Sequence, residues 1–200
     1  MAKLYFNYST MNAGKTTVLL QAAHNYSERG MNPFLLTANA DTRSGIGTIK
    51  SRIGLKKSAQ TFSQSVDLLN KVKEANSKKS ISCVFVDEAQ FLTEQQVWQL
   101  AKVVDDLKIP VLCFGLRVDF QGNLFPGSKC LLSIADELKE VKTICHCGKK
   151  ATMVIRQLNG KTVIDGDQVQ IGGNESYTSL CRKHWLKEFE KAKQQILGSA

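Results

Sequence analysis

Apolar positions change period several times along this 200-residue chain, and the changes mark out its elements. Leu4-Tyr5-Phe6 reads as a first strand, followed by a polar turn and a helical pattern from Thr16 to Arg29 that Gly30 stops. Phe34 to Thr37 reads as a second strand, Asn39 to Gln60 as a long Gly-, Ser- and Arg-containing loop, and Ser65 to Asn76 as a helix. Ile81-Ser82-Cys83-Val84-Phe85-Val86 is almost continuously apolar and ends in Asp87-Glu88, which suits a parallel strand buried on both faces. Thr93-Glu94-Gln95-Gln96 has the capping-box pattern, and Val97, Leu100, Ala101, Val104 and Leu107 follow at helical spacing. Val111 to Gly115 is the next buried strand. The alternation predicts an α/β fold with a parallel sheet. After about Glu140 the style changes to short β-like pieces, Ala151 to Leu158 and Lys161 to Ile164, before a last helix from Lys183 to Leu197. The expected division is therefore 1–140 and 141–200.

Composition excludes several classes. Apolar residues at 42% and charged residues at 22%, with 3 Pro and 14 Gly, rule out disordered, collagen-like and fibrous chains. No apolar run approaches the roughly 20 residues of a membrane span, and residues 1–8 lack a signal-peptide core, so the expected place is cytoplasmic, with no membrane partner. The net charge of +9 is spread along the chain without a basic block, which argues for solvated surface plus a phosphate site rather than nucleic acid. Six cysteines in such a compartment should be reduced. Cys83 and Cys113 sit in apolar strand-like runs and read as buried thiols, whereas Cys130 gives no signal.

Ser9-Thr10-Met11-Asn12-Ala13-Gly14-Lys15-Thr16 lies between the first strand and the first helix, the context a phosphate-binding loop requires. Backbone N–H groups there would converge on phosphate oxygens, with Lys15 on the outer phosphates and the Thr16 hydroxyl on Mg²⁺. Ser9 stands where the usual pattern has Gly, which is costly if that position needs positive φ. Asp87 at the end of a buried strand can hold Mg²⁺ opposite Thr16. Glu88 then remains as the candidate general base for an attacking hydroxyl. Cys145-x-Cys147 and Cys181-x-x-His184 form a four-ligand set suited to a closed, structural zinc site. Gly115 to Phe125 follows a buried strand and mixes Gly with exposed-looking aromatics, leaving a ligand-facing loop and a loop tucked into the core both open.

Taken in order, Met11 to Thr16, Asp41-Thr42-Arg43, Asp87-Glu88-Ala89-Gln90-Phe91, Gly115-Leu116-Arg117 with Asp119-Phe120, the Cys/Cys/Cys/His set, and Ile171-Gly172-Gly173-Asn174 before Tyr177 resemble the type II thymidine kinases. The resemblance covers nearly the whole chain. It implies a P-loop, RecA-like parallel sheet flanked by helices, and a small C-terminal zinc-binding lobe carrying a lasso loop. It also implies transfer of the ATP γ-phosphate to the 5′-hydroxyl of thymidine or deoxyuridine. On that resemblance Glu88 is the base, Ser9 to Thr16 and Asp87 to Gln90 form the ATP site, and Met11, Phe91, Leu116, Phe120, Phe125 and Tyr177 surround the nucleoside. Asp41 and Arg43 lie beside sugar and phosphate, and backbone groups of Gln170, Ile171, Gly172 and Gly173 read the base edge. It further implies a homotetramer inhibited by thymidine triphosphate. Three departures stand out: Ser9 for Gly, the one-residue spacing of Cys145 and Cys147 where many members have two, and Gln170 at a position often apolar.

Two other readings compete. Asp87-Glu88-Ala89-Gln90 also resembles a helicase box, consistent with a zinc-containing, nucleic-acid-stimulated P-loop ATPase, although the chain has room for one α/β lobe only. A zinc-containing binding protein with an inactive loop is the third.

Overall fold

The computed structural model describes residues 1–39, 45–169 and 176–197. Its strands are β1 (Leu4–Ser9), β2 (Pro33–Ala38), β3 (Thr48–Lys50), β4 (Lys56–Ser58), β5 (Gln60–Phe62), β6 (Cys83–Val86), β7 (Val111–Leu116), β8 (Glu137–Glu140), β9 (Thr143–Ile144), β10 (Lys150–Ala151), β11 (Met153–Leu158), β12 (Lys161–Val163) and β13 (Tyr177–Leu180). The helices are α1 (Lys15–Glu28), α2 (Leu68–Lys78), α3 (Glu94–Leu107), α4 (Pro126–Ile134) and α5 (Arg182–Leu197), with a 3-10 turn at Ala89–Phe91.

Six strands form one sheet in the order β5-β2-β6-β7-β1-β8, every neighbouring pair parallel. Strand alternation divides its side chains between two cores. Cys83 and Phe85 of β6 and Phe114 of β7 face Leu19, Leu20 and Ala23 of α1. Val84 and Val86, with Leu4, Phe6, Val111 and Cys113, face α2, α3 and α4 through Leu68, Val72, Val97, Leu100, Val103 and Leu131. A strand buried on both faces needs apolar residues at successive positions, as β6 has. Burial pushes the Cys83 thiol up to about 12 and raises Cys113 and Cys130 as well, so these cysteines are packing groups.

The capping box before α3 forms as its sequence predicts: Gln96 N donates to Thr93 Oγ1 at 3.1 Å, and Thr93 N donates to Gln96 Oε1 at 3.1 Å. Such a cap contributes about 1 kcal/mol. Three elements depart from the sequence reading. Asn39 to Gln60 is not all loop, because β3 and β4 pair as an antiparallel hairpin. Pro126–Ile134 is helical, with Pro in the first turn. Glu137–Glu140 adds the polar edge strand β8 alongside β1. Beyond β8, β9 pairs with β10, and β11 lies between β12 and β13, all antiparallel. Among the described residues no helix is long and apolar enough to cross a membrane.

Because the sheet is parallel, the chain leaves β1, β6 and β7 at one edge. Val86 and Phe6 both pair with Cys113, whereas Ser9 pairs with Leu116. β6 thus stops three residues below the end of β1, leaving a recess about 10 Å deep at 3.3 Å per residue. The 3-10 turn fills it, packed so closely that Cβ atoms at two glycines would collide with it. A Cβ at Gly115 would lie 2.9 Å from Gln90 N, and one at Gly127 would lie 2.6 Å from Ala89 O and 2.7 Å from Leu92 O. Gly127→Ala is expected to destabilise the protein by about 1–3 kcal/mol, since only backbone could yield, and urea unfolding measures it.

Candidate active site

Two loops leave the sheet at this edge, with β7 between the strands that feed them. The first leaves β1 at Ser9, which is 4% exposed and still part of the strand. The left-handed residues are Asn12 (φ 62°) and Gly14 (φ 85°), so the Ser9 position makes no demand for glycine. Gly14 is the N-cap of α1 and offers no side-chain acceptor, unlike Thr93 at α3, so the first-turn N–H groups keep their pull on an anion. Lys15 Nζ folds back to donate to Ser9 Oγ at 2.9 Å and Thr10 O at 3.0 Å. Thr16 follows in the first turn of α1.

The second loop leaves β6 at Asp87, which is 5% exposed and donates its N–H to Leu36 O at 2.9 Å. Glu88 adopts a left-handed backbone (φ 53°, ψ 41°), a conformation that costs a non-glycine residue about 1–2 kcal/mol. Gln90 stabilises it. Its amide, 2% exposed, donates Nε2–H to Glu88 Oε2 at 2.6 Å and accepts the Leu116 N–H at 3.0 Å. One buried amide therefore connects the Glu88 carboxylate to the end of β7.

Of the residues expected around a nucleoside, Met11, Phe120 and Tyr177 come together in one apolar cluster with Val154 and Val163. Phe91 and Phe125 form a separate edge-to-face pair with centroids 6.3 Å apart. Phe120 and Phe125 are buried (1% and 5% exposed), the tucked-in arrangement of the two that the sequence leaves open. Asp41, Arg43, Gln170, Ile171, Gly172 and Gly173 lie outside the described residues.

Sequence reasoning missed Arg156. Its guanidinium lies 3.9 Å from the Phe120 ring centroid, and its Nη1 donates to Asp167 O at 2.7 Å. Buried Asp119 accepts from Gln168 Nε2 at 2.8 Å as well as from the N–H groups of Gln121 and Asn123. No local pattern signals the Arg156–Phe120 or Gln168–Asp119 contact, because each joins residues distant in the chain.

A second cluster lies between β9, β10, β13 and α5. Ligand atoms of Cys145, Cys147, Cys181 and His184 all fall within 4.8 Å of one another. His184 Nδ1 is 3.3 Å from Cys145 Sγ and 3.4 Å from Cys181 Sγ, and Cys147 Sγ is 3.9 Å from Cys181 Sγ. A tetrahedral zinc centre with bonds of about 2.3 Å to sulfur and about 2.05 Å to nitrogen has S···S edges of about 3.8 Å and S···N edges of about 3.5 Å. The donor set and spacing fit that ion. Burial pushes the Cys145 thiol up, but the N–H groups of Cys147 and Cys181, with the His184 ring, outweigh it and bring it down to about 6. For Cys147 the Lys149 N–H pulls downward, but burial and the adjoining cysteines leave the thiol raised.

A parallel sheet with a glycine-lysine loop after its first strand and an acidic pair on the far side of β7 defines an α/β protein of the phosphate-loop class. The family model for thymidine kinase matches residues 2–185. A thymidine kinase of Ruegeria pomeroyi is 63% identical over 186 residues, spanning 92% of this chain and 94% of that protein. The thymidine kinase of Agrobacterium fabrum is 58% identical over 190 residues (94% and 98%), and that of Aliivibrio fischeri 55% identical over 192 (96% and 100%). The chain belongs to the thymidine kinase family.

Replacing Gln90 by Met keeps its length but removes both hydrogen bonds and leaves the Leu116 N–H without its acceptor. The variant should lose about 1–3 kcal/mol of stability, read from the urea midpoint.

Proposed function

We propose that this protein is an ATP-dependent thymidine kinase that phosphorylates the 5′-hydroxyl of thymidine, and of deoxyuridine, to give the nucleoside monophosphate and ADP. The observation that carries the reading is the family match across residues 2–185, in a chain whose glycine-lysine loop and Asp87-Glu88 pair share one sheet edge. Residues 1–140 supply the ATP site and residues 141–200 the metal cluster.

The reaction divides among the chain's own groups. The thymidine 5′-oxygen forms a bond to the γ-phosphorus as the bond to the bridging β,γ-oxygen breaks and ADP leaves. Glu88 accepts the hydroxyl proton, and Gln90 fixes the rotation of that carboxylate. A loose transition state asks mainly for such positioning, with the proton moving late. Lys15 exchanges Ser9 and Thr10 for phosphate oxygens, and the loop N–H groups cradle the charge. Thr16 and Asp87 offer the hard oxygens that Mg²⁺ prefers and would hold it directly or through water. The chemistry it would supply there is positive charge against the phosphates of ATP. The Cys3His set would hold a structural zinc. Two aromatic groups, Phe120 and Tyr177 with Met11, and Phe91 with Phe125, would border the pyrimidine together with Leu116. A homotetramer and feedback inhibition by thymidine triphosphate complete the reading.

Phosphorylation of a panel of deoxynucleosides with Mg-ATP, run beside Glu88→Gln, tests it. The expected result is turnover of thymidine and deoxyuridine that falls on the order of 10²–10⁴-fold in the variant. Folded wild-type protein that phosphorylates no nucleoside would reject it.

A further inference from the structure

Two carbonyl groups of the phosphate loop, those of Met11 and Asn12, accept hydrogen bonds from hydroxyl groups of the C-terminal strands. Ser179 Oγ, on β13, donates to Met11 O at 2.6 Å, and Thr143 Oγ1, on β9, reaches Asn12 O at 3.5 Å. A third contact runs the other way, from Thr10 Oγ1 to Met153 O at 3.1 Å at the start of β11. In a trans peptide the C=O and the following N–H point to opposite sides. Holding the Met11 and Asn12 carbonyls against the C-terminal strands therefore turns the Asn12 and Ala13 N–H groups away from those strands. The left-handed backbone of Asn12, φ 62°, lies between the two anchored carbonyls. Successive N–H groups held in this way are the donors an anion-binding nest needs.

Both anchoring hydroxyls occupy the same place relative to the metal cluster. Ser179 is two residues before Cys181, and Thr143 is two residues before Cys145. β13 thus carries Tyr177, which packs with Met11, then Ser179 on the Met11 carbonyl, and runs directly into a cluster cysteine. Neither strand has more than four residues, and β9 has two. Elements so short have little stability of their own, and a bound metal that joins their ends would set their spacing.

We propose that Ser179 and Thr143 are positioning residues for the phosphate loop and that, through them, the Cys3His cluster and the nucleotide site are energetically coupled. The inference rests on the reading that residues 9–16 hold the ATP phosphates. Ser179 acts through the Met11–Asn12 peptide without touching ATP. Its loss lets that peptide rotate, so part of the binding free energy goes into restoring the orientation of the N–H groups.

Calorimetric titration of zinc-loaded protein with Mg-ATP tests the proposal. Ser179→Ala should bind about 3- to 10-fold more weakly than wild type, the range expected for one lost neutral hydrogen bond. Ser179→Thr, which keeps the hydroxyl on a β-branched side chain suited to a strand, should restore wild-type affinity. Thr143→Val, at a half-exposed position that does not threaten folding, should weaken binding by about 2-fold, as the longer contact implies. Removing the metal with a chelator should weaken Mg-ATP binding in wild type, and by a smaller factor in Ser179→Ala. Wild-type affinity in both Ser179→Ala and Thr143→Val would overturn the positioning role. Equal losses on metal removal in wild type and Ser179→Ala would overturn the coupling. Wild-type protein that does not bind Mg-ATP would instead overturn the assignment of residues 9–16.

Discussion

One buried amide ties the turn after β6 to the end of β7. Gln90 donates to the Glu88 carboxylate and accepts from the backbone of Leu116, and it does so where β6 has stopped short and the 3-10 turn fills the recess. An unpaired amide in that place would cost more than the hydrogen bonds return, so the contact is self-enforcing. Gly115 and Gly127 exist to permit it, since a methyl group at either would push on the backbone of the turn. The strained Glu88 backbone is a consequence of that packing. A carboxylate held by both its backbone and its side-chain oxygen loses little freedom on meeting a substrate, which is what a positioned base requires.

The same economy of contact joins the sheet edge to the C-terminal strands. Trp185 of α5 donates one indole N–H to both Phe120 O and Val154 O, at 3.0 and 3.1 Å. Arg117 Nη2 donates to Thr152 O at 3.1 Å. Together with the Ser179 and Thr10 contacts, these bonds tie the loops after β1 and β7 to β11 and β13. Small antiparallel sheets bury too little apolar surface to be stable alone, and here Cys145, Cys181, Ile155, Leu180 and Trp185 form only a modest core. A metal bound by the four ligands would supply the missing stability, as it does in other small thiolate-bound lobes.

Elements built on burial were legible in the sequence. The run Cys83 to Val86 reads as a doubly buried strand because every residue in it is apolar, and Thr93 with Gln96 reads as a helix start because the side chains that make the cap are adjacent in sequence. Polar and short elements were not. Lys56-Lys57-Ser58 forms a hairpin strand without an apolar face, and Glu137-Leu138-Lys139-Glu140 is an edge strand recognisable only through its partner β1. Ser9 looked like a defect when compared with a glycine pattern, yet the left-handed turn falls at Asn12 and Gly14, three and five residues later. At the candidate site the chemical groups could be named from the sequence, whereas what holds them could not. Gln90 to Leu116, Ser179 to Met11 and Arg156 to Phe120 are contacts between distant positions, and no local spacing encodes them.

The measurement that tests this account most directly is the ratio of ADP formed to thymidine phosphorylated, with and without thymidine and with and without single-stranded DNA. If, as proposed, residues 9–16 hold the ATP phosphates and Glu88 takes the proton of a deoxynucleoside hydroxyl, the result is one nucleoside monophosphate for each ADP, little hydrolysis without thymidine, and no response to DNA. ADP release that proceeds without nucleoside and rises with DNA would contradict the account and identify the protein as a nucleic-acid-stimulated ATPase.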